Sequence, residues 1–138
     1  MRVILLIMIG FSLLQAEFSK TGDIVKDSVS ALEFQDDAVG STMKWEAAIS
    51  YCEVLTLGGH SDWRLPNINE LKSIIDRSMV NPAIVNTFTN TYGSYWSSTT
   101  TYEGNKNNTW IVYFSNGSVN SNNSKGGYAR VRCVRDGQ

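Results

Sequence analysis

Two cysteines, Cys52 and Cys133, are the only ones in the chain's 138 residues, and any fold it adopts must either join them or shelter two thiols. Cys52 falls in a segment with helical periodicity and Cys133 in an alternating segment close to the C-terminus. A bond between them would tie a helix to the last strand. Closing a loop of about 80 residues would stabilise the fold by about 4 kcal/mol in the chain-entropy account. The compartment decides whether the thiols pair. Residues 1–16 read as a secretory signal peptide: one basic residue, Arg2, then an apolar run over 3–14, then the small residue Ala16 at a cleavage position. The run is shorter than the roughly 20 residues of a membrane-spanning helix, so the mature chain, 17–138, is expected to be one domain with no membrane span, secreted or periplasmic. In that oxidising setting a disulfide between Cys52 and Cys133 is the default. A reactive thiol or a metal centre is the alternative, with His60 the one histidine and no Cys-x-x-Cys spacing to support it.

Charge narrows the partners. Twelve basic and thirteen acidic residues give a formal net charge of −1, with both signs scattered along the chain. No basic stripe recommends nucleic acid. A mature chain of this length can bury about two-thirds of its unfolded surface without a structural metal.

The pattern along the chain predicts an α+β fold: two helices packed on an antiparallel sheet, with long polar loops. Two short strands, 23–26 and 31–35, form an N-terminal hairpin. After Thr42, residues 43–55 carry Trp45, Ala48, Ile49, Cys52 and Leu55 at three- and four-residue steps, an amphipathic helix ended by Gly58-Gly59. Residues 61–71 make a strand-to-helix corner, in which Pro66 holds Leu65 extended and Asn67 and Glu70 have the spacing of a capping box. A second helix follows over 68–77, with Leu71, Ile74 and Ile75 as its apolar stripe. Residues 78–94 are a long loop with one short turn at 83–85. A strand over 94–99, a polar loop to 108 and a strand over 109–114 come next. The last of these is apolar on both alternating sets and so is the expected central strand. Asn116-Gly117 signals a hairpin into 118–120, and Gly126-Gly127 turns the chain into a final strand over 128–135. There Val131 and Cys133 share one face, and Arg130 and Arg132 share a solvated one. The C-terminal third is expected to be an antiparallel meander. Trp45, Trp63, Trp96 and Trp110 each sit in or beside an apolar periodic segment, as core residues do.

Candidate ligand contacts lie in the loops. Tyr102, Glu103, Asn105, Asn107 and Asn108 combine an aromatic face with amide donors and acceptors, the inventory of a sugar- or peptide-binding surface, and Tyr92, Asn120, Asn122 and Asn123 extend it. Asn, Ser, Thr and Gly are also what turns are made of. Arg130 and Arg132 would suit an acidic ligand, or a pairing carboxylate on the same strand face. No catalytic residue stands out: a Ser/His/Asp set would need His60 with its neighbours Ser61 and Asp62, and sequence neighbours seldom form a triad. No metal or other cofactor motif occurs, which leaves open calcium held by loop carbonyls and Asp or Glu.

Four motifs, in order, carry a resemblance: Trp45-Glu46-x-Ala48 with Tyr51-Cys52; Leu57-Gly58-Gly59-x-Ser61-Asp62-Trp63-Arg64-Leu65-Pro66-Asn67-x-x-Glu70-Leu71; Tyr95-Trp96-Ser97-Ser98-Thr99; and Val131-Arg132-Cys133-Val134-Arg135. From about Ile24 to Arg135 the chain resembles the Lcl C-terminal domain family, named after a bacterial collagen-like adhesin. The resemblance implies a C-type-lectin-like fold similar to that of the formylglycine-generating and sulfatase-modifying domains, which share the Arg-Leu-Pro corner and the closing Arg-Cys-Val strand. It also implies adhesin-like binding of sulfated glycans and trimerisation. This chain has no Gly-x-y tract, is mildly acidic, and lacks the Glu-Pro-Asn and Trp-Asn-Asp signatures of calcium-dependent lectins. The expectation is therefore a secreted, non-catalytic module that binds a surface glycan or a protein, with homo-oligomerisation open. A structural accessory domain of an envelope complex is the alternative, and an enzyme of the sulfatase-modifying type a weaker one.

Overall fold

The computed structural model describes residues 15–37, 41–89, 92–101 and 106–138, with Asn122 described by its backbone alone. Nearly all of the expected signal peptide, residues 1–14, lies outside them. Seven strands and two helices follow in the order β1 (Phe18–Thr21), β2 (Ile24–Asp27), β3 (Leu32–Gln35), α1 (Trp45–Val54), α2 (Ile68–Lys72), β4 (Ser94–Thr100), β5 (Asn108–Tyr113), β6 (Ser118–Ser124) and β7 (Val134–Asp136). The fold is α+β, but it holds two antiparallel sheets rather than one: β1-β2-β3-β7 and β4-β5-β6.

The expected N-terminal hairpin is β2–β3, paired Val25 to Phe34. A further strand, β1, lies on its outer side, paired Lys20 to Val25. Phe18 is the one apolar side chain in β1, so β1 pairs largely through its backbone and leaves little periodicity to read. The meander is β4–β5–β6, and β5 is its central strand. Both of its faces are covered at the middle of the strand, with Val112 buried in one core cluster and Ile111 in the other, while Trp110 is half-buried and Tyr113 at the strand's end is exposed.

The C-terminal segment does not complete this meander. Residue 129 bridges Met43 and residue 130 lies parallel to β4 at Tyr95. The chain then crosses to the other sheet, where β7 pairs antiparallel with β3 and Val134 exchanges backbone hydrogen bonds with Arg64 at 2.8 Å in both directions. The sheets are thus joined through residues 129–136.

The corner at 61–71 forms as its residues dictate. Asn67 accepts from the Glu70 N–H at 2.8 Å and Glu70 accepts from the Asn67 N–H at 3.0 Å, a complete capping box. Helix α2 stops at Lys72, five residues short of the expected end. Ser73 turns its hydroxyl back to the Glu70 carbonyl at 2.6 Å, and residues 74–76 bond instead to 83–85, with Ile75 bridging Ile84. Helix α1 starts two residues later than expected. Lys44 is its N-cap and makes no side-chain cap bond, and Leu55 ends it in an extended conformation. Gly58 and Gly59 lie beyond its end, in a tight turn at positive φ between the mutually bonded Leu57 and His60.

Two clusters make the core. One gathers Val25, Phe34 and Val134 of the first sheet, Leu71 and Ile74, and Tyr95 and Val112 of the second with Phe114 just past β5. The other packs Ala48 and Cys52 of α1 against Trp63, Leu65, Trp96, Ile111 and Cys133. Burying a ring such as Phe34 contributes about 2–3 kcal/mol. Trp63 and Trp96 are core residues as expected, while Trp45 and Trp110 are half-buried. The Cys52–Cys133 disulfide is formed, with Cα atoms 5.5 Å apart and both residues fully buried. Among the described residues no helix is long and apolar enough to cross a membrane.

Candidate ligand-binding surface

Four chain segments meet at the far end of the second sheet. Thr101 N–H donates to the Asn108 carbonyl at 3.0 Å, which closes the root of the polar loop put forward above. Lys125, just after β6, donates its N–H to the Asn107 carbonyl at 2.8 Å and accepts from the Trp45 N–H at 3.3 Å, so the loop root, the β6 exit and the start of α1 are bonded in series. Met43 and Ala129 exchange backbone bonds beside them.

These bonds set two aromatic rings beneath two ammonium groups. The Lys125 Nζ lies 4.1 Å from the centre of the Trp45 ring, and the Lys44 Nζ lies 6.0 Å from that of Tyr128, which is 66% exposed. Trp45 is fixed in plane by its indole N–H, which donates to the Ser97 carbonyl at 2.9 Å, and the Lys125 amine is steadied by Thr100 Oγ1 at 2.9 Å. An open cavity of about 410 Å³ runs between, lined by Lys44, Glu46, Ala47, Lys125 and Gly126. Such a shelf offers the exposed Tyr128 ring for stacking, ammonium donors for hydroxyl, carbonyl or anionic oxygens, and one carboxylate acceptor, with the Trp45 ring lying under the Lys125 amine.

The candidate residues from the sequence are distributed unevenly around it. Asn107 and Asn108 stand at the shelf. Tyr102, Glu103 and Asn105 lie outside the described residues, in the loop rooted there. Arg130 donates its N–H to the Ser94 carbonyl at the start of β4, two residues along the chain from Tyr128 of the shelf. Its side chain lies across Gly93, whose Cβ, if it had one, would come within 2.9 Å of the Arg130 Nε.

Arg132 is a correction. The expected solvated face is buried, and Arg132 is 2% exposed. Its guanidinium donates to the Gln35 carbonyl at 2.6 Å and to the Asp36 carboxylate at 3.0 Å, and it stacks on Phe88 and Tyr95. Asp36 also takes bonds from Lys20 Nζ at 2.7 Å and from the Thr89 N–H. Burial alone would raise the Asp36 pKa, but the bonds from Lys20, Thr89 and Arg132 outweigh it and hold the carboxyl below the ordinary range. This is an interior ion cluster, and alternation alone gave no sign of it.

A larger open groove, about 610 Å³, lies on the outer face of the first sheet. Its floor is the cross-strand row Ser19, Lys26 and Glu33 with Ile24, and its wall is the 57–60 turn with His60. The Asp62 carboxylate accepts from Arg135 Nε at 2.7 Å, which lowers its pKa. Glu33 pairs with the same arginine. Among the described residues no three His, Cys, Asp or Glu side chains come together as a metal site would need.

Lys44, Trp45, Lys125 and Tyr128 escaped the sequence reading as a group because they come from segments 80 residues apart. The one local trace is Lys125 next to Gly126-Gly127, a cation placed on a turn.

The arrangement of corner, bridge and closing strand has a match among known families. The model of the Lcl C-terminal domain covers residues 23–135. The chain belongs to the Lcl C-terminal domain family. The match runs from the turn before β2 into β7, so both helices, the second sheet and the rest of the first sheet of this Lcl C-terminal domain fall inside it, and β1 stands outside. No curated protein matches the chain at a significant level.

Proposed function

We propose that this Lcl C-terminal domain is an exported, non-catalytic binding module with a C-type-lectin-like arrangement, acting in the periplasm or outside the cell and recognising a surface glycan or a surface protein. The observation that carries this reading is the shelf: Lys125 over Trp45 and Lys44 beside Tyr128, at the root of the loop holding Tyr102, Glu103 and Asn105. Sugar recognition uses aromatic faces for the C–H side of a ring and amides or charged groups for its hydroxyls, and both are within reach here. The aromatic–amine pairs are at the surface, so each contributes about 0.5–1 kcal/mol and can be exchanged for a ligand without unfolding the site.

A glycan array probed with the mature chain, in calcium and in chelator and again at raised salt, tests the reading. The expected outcome is a defined set of bound sugars that persists in raised salt, because stacking is not screened. Binding lost in chelator would place calcium in the site. A blank array on folded protein would contradict the glycan reading and leave a protein ligand, to be sought by cross-linking.

A further inference from the structure

Gln35 is 1% exposed, and each of its four polar groups is used. Its N–H donates to the Cys133 carbonyl at 2.9 Å, and its carbonyl accepts from Arg132 at 2.6 Å. Its side-chain Oε1 accepts from the Cys133 N–H at 3.0 Å, while Nε2 donates to the Tyr51 hydroxyl at 2.8 Å. Cys133 is therefore held on both sides of its backbone by one residue. The same side-chain amide reaches across to the neighbour of Cys52 on α1. β7 and α1 share no strand ladder, and Gln35 ends β3, the strand that pairs with β7.

We infer that Gln35 is the positioning residue for the Cys52–Cys133 bond, holding both cysteines in bonding register before the sulfurs are joined. The inference is independent of any ligand. In the oxidation itself one cysteine thiolate attacks the disulfide of an external oxidant, a glutathione-type small molecule or a dithiol oxidoreductase, and expels one of its sulfurs as thiolate. The second cysteine thiolate then attacks the mixed disulfide and expels the other. Two protein thiols lose two electrons and two protons, and the oxidant's disulfide becomes two thiols. Gln35 takes no part in electron transfer. It raises the effective concentration of one thiol at the other.

The test equilibrates the purified protein in buffers of reduced and oxidised glutathione and reads the effective concentration of the two thiols, beside the urea midpoint of the oxidised form. Tyr51→Phe removes one hydroxyl and keeps the ring; Gln35→Met removes both side-chain bonds. Asn67→Ala is the control, because it weakens α2 through the capping box, away from the bridge. Loss of a buried hydrogen bond predicts a fall of about fivefold for Tyr51→Phe and about tenfold for Gln35→Met. Each fall should exceed that of Asn67→Ala at equal loss of oxidised-state stability. Effective concentrations that track stability alone across the three variants, or do not fall, would overturn the inference. Should Gln35→Met fail to fold, Tyr51→Phe against Asn67→Ala still decides it.

Discussion

Asp36 is 2% exposed yet ionised, and it stays so because three donors surround it. Removing one of them should leave a buried charge only partly compensated. Arg132→Met keeps the stacking volume against Phe88 and Tyr95 but takes away the guanidinium. It is expected to cost about 3 kcal/mol of unfolding free energy in urea titration, as the breaking of buried ion pairs does. Because its folded pKa is lowered, Asp36 contributes stability that is present above its unfolded pKa and is lost as pH falls through the folded one. Its neighbour has the opposite sign. Burial raises the Asp37 pKa, the bond from Gln35 only partly offsets this, Asp23 adds repulsion, and Oδ1 of Asp37 is buried without a partner. Keeping Asp37 ionised therefore works against folding at neutral pH, and protonation relieves it. Asp37→Asn is expected to stabilise the protein at neutral pH by about half a kcal/mol, after allowance for solvent screening. The gain should shrink as pH falls through the raised folded pKa and vanish below the unfolded one, where the carboxyl is protonated in both states; paired urea titrations at neutral and acid pH measure it.

At the scale of elements, the corner carries its own instructions. Helix α2 is only five residues long, so its capping box satisfies a large share of its unpaired N–H groups. Asn67→Ala is expected to cost about 1 kcal/mol, read as a shift in urea midpoint at unchanged slope. The Arg64 guanidinium reinforces the corner with bidentate bonds of 2.6 and 2.7 Å to Glu70 and a further bond to Asp136, joining α2 to β7. Such features were legible in the sequence because they are local: Pro66, Asn67 and Glu70 act within one turn, and Asn116-Gly117 within one hairpin. The placement of β7 was not. Residues 131–135 alternate as a strand of any sheet would, and only contacts with Gln35, 98 residues from Cys133, and with Arg64, far from Val134 in sequence, decide which sheet takes it. The burial of Arg132 was hidden for the same reason, since Asp36 answers its charge from the other end of the chain. Part of the candidate site was legible as well: Asn107 and Asn108 stand where the polar loop is rooted. The amines and rings beside them come from α1 and the β6 exit, which only the tertiary fold brings together.

At the scale of the whole molecule, the C-terminal segment is the tie. It runs along β4, reaches the buried disulfide at Cys133 and ends as β7 beside β3, so both sheets and both helices are fastened by residues 129–136. The far end of the second sheet is held by its own bonds among the loop root, the β6 exit and the start of α1. The central claim is that binding happens there, on the shelf of Lys44, Trp45, Lys125 and Tyr128. The most direct measurement is an amide chemical-shift map of the folded protein titrated with the strongest ligand from the glycan array. Shifts concentrated at residues 44–47, 107–108 and 125–128 are the expected result. Saturable shifts confined to the groove of Ser19, Lys26 and His60, with the shelf unmoved, would contradict it.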